Sequence, residues 1–382
     1  MGIFEFSIPS QLKFGVDSVN RIGNAVNEFG SKAILVTEGV LHEPDLINRV
    51  VEILKNKNCK SIVFDEVVMY SGSDIVNDGA ELCRSAYADV VIGMGGVRTL
   101  SIAKAIAALA SNEGNIDRYI DGDKMLKPPL PYIEIPSTPR NPFMFSDAYC
   151  ITDVRYNNAV MMSVPRGTTK YVLFDPLITT TLNRRQTAAI AVDILSSAIE
   201  GFISVKSNYL SDTLFLKSIE LISQNIFKVV NAPDDIIASS NISMAGMCTC
   251  VGLAMSSPGI TAALSFVLNA KFKIHKSMAS AIILPHVLDY NITAVPEKLV
   301  KICQAFGEDI SGMSVVEAAI KAIEKVRRII IELQLPVRLL EFELNKDSLN
   351  NVADDARRFD FIKYIPRSCD SEELYSILES AF

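Results

Sequence analysis

The sequence predicts two domains: a parallel α/β domain over residues 1–177 and an all-helical domain over residues 178–382. Three observations carry this. The chain has 382 residues, and domains run to roughly 100–200 residues each. Strand and helix signals alternate through the first half. After Asp175-Pro176 the strand signals thin out and helical periodicity takes over.

The first half reads as follows. Lys32–Thr37 is a β-branched run closed by Glu38-Gly39, and Asp45–Asn56 carries Leu46, Ile47, Val50, Val51 and Leu54 at helical spacing. Pro44 precedes that helix, where a helix start tolerates proline. Ser61–Phe64 is a second strand. Ser71-Gly72-Ser73-Asp74 caps a helix over Ile75–Ser85. Asp89–Ile92 is a third strand that runs into Gly93-Met94-Gly95-Gly96, followed by a helix over Thr99–Leu109. Tyr132–Ile135 is a strand ending at Pro136. This order predicts a parallel, Rossmann-like sheet with helices on both faces.

In the second half, Thr187–Ser204, Ser211–Val229, Ile236–Met255, Thr261–Phe272, Pro296–Gln304, Val315–Leu333 and Asp347–Arg357 read as helices, several of them apolar almost all round. The cleft between the two domains is the expected ligand site.

Composition narrows the function. Hydrophobic residues make up 49% and charged residues 21%, which a packed core needs and a disordered chain lacks. A net charge of −7 argues against a nucleic-acid binder with a broad basic face. Seven cysteines with no CxxC pair fit a reducing, cytoplasmic setting. The N-terminus shows no signal-peptide pattern. The most apolar stretch, Thr187–Val205, is interrupted by Asp193 and Glu200, so it reads as a buried helix and not a membrane span. There are three histidines, His42, His275 and His286. A site built from three histidine ligands would need all of them.

The glycine turn Gly93–Thr99 lies where a strand hands over to a helix. Exposed N–H groups and the helix dipole attract phosphate there, and glycine lets the ligand approach closely. A tight turn with no ligand is the alternative. Glu38 closes the first parallel strand, where a carboxylate can accept from a ribose hydroxyl and repel a 2′-phosphate; a solvated loop acid is the alternative.

Several segments together resemble the iron-containing (group III) alcohol dehydrogenases, with their dehydroquinate synthase-like fold. Phe6–Gly15 resembles the family's opening hairpin, and Val36-Thr37-Glu38 its Val-Thr-Asp strand end. Gly93–Lys104 is similar to its Gly-Gly-Gly-Ser-x-x-Asp-x-Ala-Lys motif. Ile135-Pro136-Ser137-Thr138 resembles the start of its second loop, Ile-Pro-Thr-Thr-Ala-Gly-Thr-Gly-Ser-Glu. Asp193–Gly201 follows its Asp-x-x-x-His helix, and Ala281–Asn291 and Pro366-Arg367 match further on. The resemblance implies an N-terminal dinucleotide domain, a helical domain that holds a divalent metal, and NAD(H)-dependent chemistry on a small alcohol, aldehyde or ketone. It also implies a homodimer through the N-terminal strands, here Phe4–Phe14. Neither a membrane nor a nucleic-acid partner is expected.

The departures fall at the chemistry. The family's metal has one Asp and three His ligands. Here Asp193 keeps the Asp, Ser197 stands four residues on in place of a His, and no His occurs in 257–265. Lys276 takes the last ligand position, with His275 beside it. Asp193 and His275 are the only residual metal candidates, so no stoichiometric iron or zinc is expected. In the cofactor loops Val97, Arg98 and Ser101 replace Gly, Ser and Asp, and Pro139-Arg140-Asn141-Pro142 replaces Ala-Gly-Thr-Gly. The expected cofactor contacts are Glu38, Gly95, Gly96, Arg98, Thr99, Ser137, Thr138 and Arg140. Arg98 and Arg140 either bind the phosphates the loops would otherwise hold or point to solvent beside a decayed pocket.

Lys276, Asp193 and His275 are the catalytic candidates. A Lys276 ammonium near Asp193 either stabilises an alkoxide in place of the metal or fills an empty site structurally. Two functions compete: a metal-independent nicotinamide-dependent carbonyl reductase or alcohol dehydrogenase, and a non-catalytic relic that binds a nucleotide or other phosphorylated ligand.

Overall fold

The computed structural model describes residues 6–38 and 44–382. By packing, the chain divides into two units, Ser7–Thr181 and Leu182–Phe382, with Phe6 assigned to the second.

The first unit contains β1 (Gln11–Phe14), α1 (Ile22–Asn27), β2 (Lys32–Glu38), α2 (Pro44–Asn56), β3 (Lys60–Val67), α3 (Ser73–Ala86), β4 (Val90–Gly95), α4 (Val97–Ala110), α5 (Ile116–Ile120), β5 (Tyr132–Pro136), β6 (Ala148–Asp153), β7 (Asn158–Ser163), β8 (Thr169–Phe174) and α6 (Pro176–Thr179). Six strands form one parallel sheet in the order β1-β8-β5-β4-β2-β3, and β6 and β7 form a separate antiparallel hairpin. The central strands are almost wholly buried, as a sheet covered on both faces requires. Ile22, Val26, Leu46, Val50 and Leu54 of α1 and α2 pack with one face. Val76, Ala80, Ile102 and Ile106 of α3 and α4 pack with the other.

From β2 the chain runs outward to β3, then crosses back to place β4 on the other side of β2. The sheet therefore has a topological switch point at the carboxyl ends of β2 and β4, the place where open α/β sheets take ligands. Glu38 and Gly95 end those two strands.

The second unit is helical: α7 (Arg184–Ile203), α8 (Tyr209–Asn231), α9 (Ile236–Leu253), α10 (Ile260–Phe272), α11 (Lys276–Asn291), α12 (Pro296–Ala305), α13 (Val315–Glu332), α14 (Leu349–Arg357) and α15 (Ser371–Ser380). Asn183 and Gln186 close a capping box at the start of α7. This helix is buried over most of its length at the centre of the bundle core, which accounts for its near-continuous apolar run.

Three differences from the sequence reading have physical causes. The expected opening hairpin is, among the described residues, a single edge strand: β1 pairs in parallel with β8, and residues 4 and 5 of the Phe4–Phe14 segment lie outside the described residues. The hairpin of β6 and β7 carries no alternating sequence signal: β6 alternates in burial but Ala148-Tyr149-Cys150-Ile151 is apolar on both faces, and β7 is buried on neither. Helix α11 was hidden by Pro285 inside it, which reads as a helix breaker, and by an apolar character all round, which removes the amphipathic stripe.

Candidate active site

At the switch point, Gly95 adopts φ +157°, and a Cβ there would sit 2.7 Å from Thr99 Cβ. Only glycine fits that turn. Gly96 N-caps α4. A Cβ on Gly96 would enter a space bounded by Glu38 Oε1 at 3.5 Å and Thr138 Cγ2 at 3.9 Å. This cradle at a helix N-terminus fits a phosphate group or ribose of a dinucleotide.

The Glu38 carboxylate is already engaged there. Its Oε1 accepts from Gly96 N (3.0 Å) and from the Thr99 hydroxyl (2.7 Å). It caps the glycine turn, because a glutamate at the end of β2 reaches the exposed amide of the adjacent β4 turn. Burial lowers the Arg98 guanidinium, partly offset by Glu38, with Cys150 and Tyr70 also near. Arg98 is half-buried and Arg140 buried, so neither guanidinium simply projects into solvent. Ser137 N donates to Gly95 O (2.9 Å), which stitches the second loop to the first. The Thr138 hydroxyl donates to Arg140 O (3.3 Å) within that loop.

In the helical unit, Asp193 projects from α7 and is fully buried. Lys276, the first residue of α11, reaches it: Nζ lies 3.0 Å from Oδ1 and 3.3 Å from Oδ2. The side chains are 8% and 1% exposed, so the pair sits in low dielectric. The ammonium also lies 5.0 Å from the centre of the Phe266 ring, a cation–π contact. Phe266, Phe359 and Phe361 follow one another at centroid spacings of 6.1 and 5.1 Å. His275 is exposed at the N-cap of α11, where its carbonyl begins the helix. Lys276, one residue later, is buried. His42 lies outside the described residues.

Glu200, seven residues after Asp193 on α7, does different work. Its carboxylate accepts from Gly259 N (3.2 Å), Thr261 N (2.6 Å) and Ala262 N (3.1 Å), capping α10 from outside. Burial raises its carboxyl above the usual range, while these bonds and Lys276 pull it back.

The iron or zinc implied by the resemblance does not fit this donor set. Among the described residues no group of three or more His, Cys, Asp or Glu side chains is gathered to hold a metal ion. A dication at Asp193 would also compete with an ammonium already bonded to both carboxylate oxygens.

Residue-type reasoning about cofactor motifs missed a buried network behind the second loop. Lys104 of α4 donates to Phe143 O (2.9 Å) and Ser146 O (3.3 Å). Asn141 Nδ2 donates to Glu134 Oε1 (2.5 Å). The signal was present: one Glu inside the apolar strand Tyr132-Ile-Glu-Ile-Pro136, and one Lys inside the apolar helix Ser101–Leu109.

Comparison with known proteins agrees with this architecture. The pattern described as iron-containing alcohol dehydrogenase matches residues 9–176. The pattern described as Fe-containing alcohol dehydrogenase family, C-terminal, matches residues 187–382. The chain is 26% identical over 384 residues to 1,3-propanediol dehydrogenase of Klebsiella pneumoniae, covering 100% of this chain and 99% of that one. It is 27% identical over 394 residues to long-chain-alcohol dehydrogenase 1 of Geobacillus thermodenitrificans, covering 100% and 98%. The crystal structure of a 1,3-propanediol oxidoreductase superposes with TM-score 0.94 over 100% of both chains at 24% identity. These matches define the class, oxidoreductases acting on alcohols and their carbonyl counterparts. The chain belongs to the iron-containing alcohol dehydrogenase family.

Proposed function

We propose that the chain is an NAD(H)-dependent alcohol dehydrogenase or carbonyl reductase in which the Lys276 ammonium does the electrostatic work that a metal does elsewhere in the family. The observation that carries this reading is the buried Lys276–Asp193 pair, 3.0 Å apart, at the position the resemblance gives to the metal. The nicotinamide, when bound, supplies or accepts the hydride. The protein's own residues do the rest. Asp193 holds the ammonium in place and offsets its charge. Nζ is a three-proton donor. A carbonyl oxygen that reaches this ammonium accepts from it as it becomes alkoxide, and low dielectric makes that bond strong.

In the α/β unit, Gly95 and Gly96 give a dinucleotide close access to the turn, with Thr99, Ser137 and Thr138 around it. Arg98 and Arg140 contribute charge-assisted bonds to its phosphates. The substrate is a small alcohol, aldehyde or ketone, as the names of the relatives suggest. The absence of any disulfide among the seven cysteines supports a cytoplasmic setting. The outer edge of β1, the terminal strand of the sheet, supports a homodimer formed by strand pairing.

One observation favours the competing reading of a non-catalytic nucleotide or phosphate binder: Glu38 already occupies the first donors of the glycine turn. NADH fluorescence titration followed by a panel of aldehydes and ketones separates the two. NADH binding with turnover supports the enzyme, and binding without turnover across the panel supports the binder.

A further inference from the structure

The loop 137–146 carries Thr138 and Arg140 and is braced from behind by two buried ionisable groups. Glu134 is fully buried on β5, in the middle of the sheet. One of its oxygens accepts from Asn141 at 2.5 Å, and the other, Oε2, has no hydrogen-bond partner among the described residues. Asn141 Oδ1 in turn accepts from Phe143 N (3.0 Å), so the same amide that reaches Glu134 also shapes the loop.

The surroundings of Glu134 are sparse in charge. The strand residues opposite it are Gly93 on β4 and Val172 on β8. Lys104 from α4 is the nearby cation, but its ammonium donates to Phe143 O and Ser146 O. Asp147 acts on Lys104 from the loop's far end. Tyr132, two residues back on the same strand, has its phenol held protonated by burial, and Tyr149 of β6 in the same core is held so too. A carboxylate here would have one oxygen without a donor and its counter-charge turned to carbonyls. A carboxylic acid would keep the Asn141 bond at much lower cost.

We propose that Glu134 is a positioning residue that latches loop 137–146 through Asn141, closed while its carboxyl is protonated and released when it ionises. Burial raises this carboxyl to about 7, against the pull of Lys104 and Asn141, so the change falls near neutral pH. Opening the loop admits water to the carboxylate and returns it toward its ordinary value. The closed state thus binds the extra proton, and rising pH favours opening. The consequence for Arg140 as an anion ligand rests on the proposed function; the latch itself does not.

Two measurements on the whole ligand-free chain test it. The first is hydrogen exchange of peptides spanning 137–146, corrected for intrinsic rates, between pH 5.5 and 8.5. Protection should fall by at least about tenfold across that range. Glu134→Gln, which keeps an acceptor for Asn141 and cannot ionise, should hold protection high and flat. Asn141→Ala should show low protection already at pH 5.5. An unchanged pH dependence in Glu134→Gln, or none in the parent chain, would overturn the latch. The second measurement is inorganic pyrophosphate affinity over the same range. Weakening that follows the loop supports its role in the site. Titrating protection with no pyrophosphate binding at any pH would overturn the anion-site reading and leave the latch standing.

Discussion

Asp193 in the helical unit and Glu134 in the α/β unit are both fully buried carboxylates with a buried lysine in the neighbourhood. At Asp193 the ammonium contacts both carboxylate oxygens, at 3.0 and 3.3 Å. At Glu134 the lysine donates to backbone carbonyls, and one carboxyl oxygen finds no donor among the described residues. Glu200 shows a third arrangement, with three backbone N–H groups as its donors. The difference teaches what a buried acid needs. Direct pairing or several amide donors compensate the charge, whereas a lysine that spends its bonds elsewhere leaves the acid to hold its proton.

The largest expected effect breaks the best-compensated site. Lys276→Met should cut turnover by about 10²–10³, the scale for losing one preorganised donor to a developing oxyanion, while NADH affinity stays unchanged. Stability should also drop by about 3–5 kcal/mol, because Asp193 is left buried and unpaired. Steady-state kinetics alongside urea unfolding reads both. Lost stability with turnover intact, measured well below the unfolding midpoint, would make the pair structural only.

Glu200→Ala removes one acceptor from three amides at once, and those amides then lie buried with no partner. A loss on the order of 4 kcal/mol is expected by urea unfolding. Glu200→Gln should recover only part of it, since the new NH₂ group meets donors where an acceptor is needed. A loss below about 1 kcal/mol would show that the start of α10 is held by packing alone.

Glu134 should give the opposite signature, a pH-dependent stability. Its carboxyl lies near 4.5 when unfolded and about 7 when folded. Between those values the native state binds more protons than the unfolded state, so stability falls as pH rises through the window. The full difference is on the order of 3 kcal/mol. Glu134→Gln should remove that slope and be the more stable protein at pH 8. Parallel unfolding curves at pH 5 and pH 8 for the two proteins decide it.

The two units differed in how much of this was legible. The parallel sheet was readable because β-branched runs end at turn residues and alternate with periodic helices, and the strands 32–38 and 132–136 fall where those runs stand. Strand β1 sits at the sheet edge, where a short strand needs little apolar signal, whereas β8 beside it carries a buried apolar run, Tyr171–Phe174, that was readable and not assigned. The presence of Asp193 and Lys276 in one site was readable only through the family resemblance, since 83 residues separate them. The Glu134 network was not assigned, although a charged residue inside an apolar strand marks a buried partner. Periodicity says which face is buried; it does not say what bonds a buried charge will find.

The smallest expected effect concerns Glu38, and its sign sharpens the contrast between an acid that serves a ligand and one that serves the fold. Glu38 accepts from Gly96 N and Thr99 Oγ1, so it either waits to share the turn with a cofactor or stands where the cofactor's phosphate belongs. Binding constants of Glu38→Ala for NADH and NADPH distinguish these. If the carboxylate turns to a ribose on binding, NADH should weaken about tenfold, near 1.4 kcal/mol, and NADPH should gain because the repulsion of its 2′-phosphate is gone. If the carboxylate is a plug, both cofactors should tighten together, because the helix N-terminus of α4 is then open to any phosphate. The proposed dehydrogenase requires the first pattern. Equal affinities before and after the change would remove Glu38 from the site altogether, leaving it as the cap of a glycine turn.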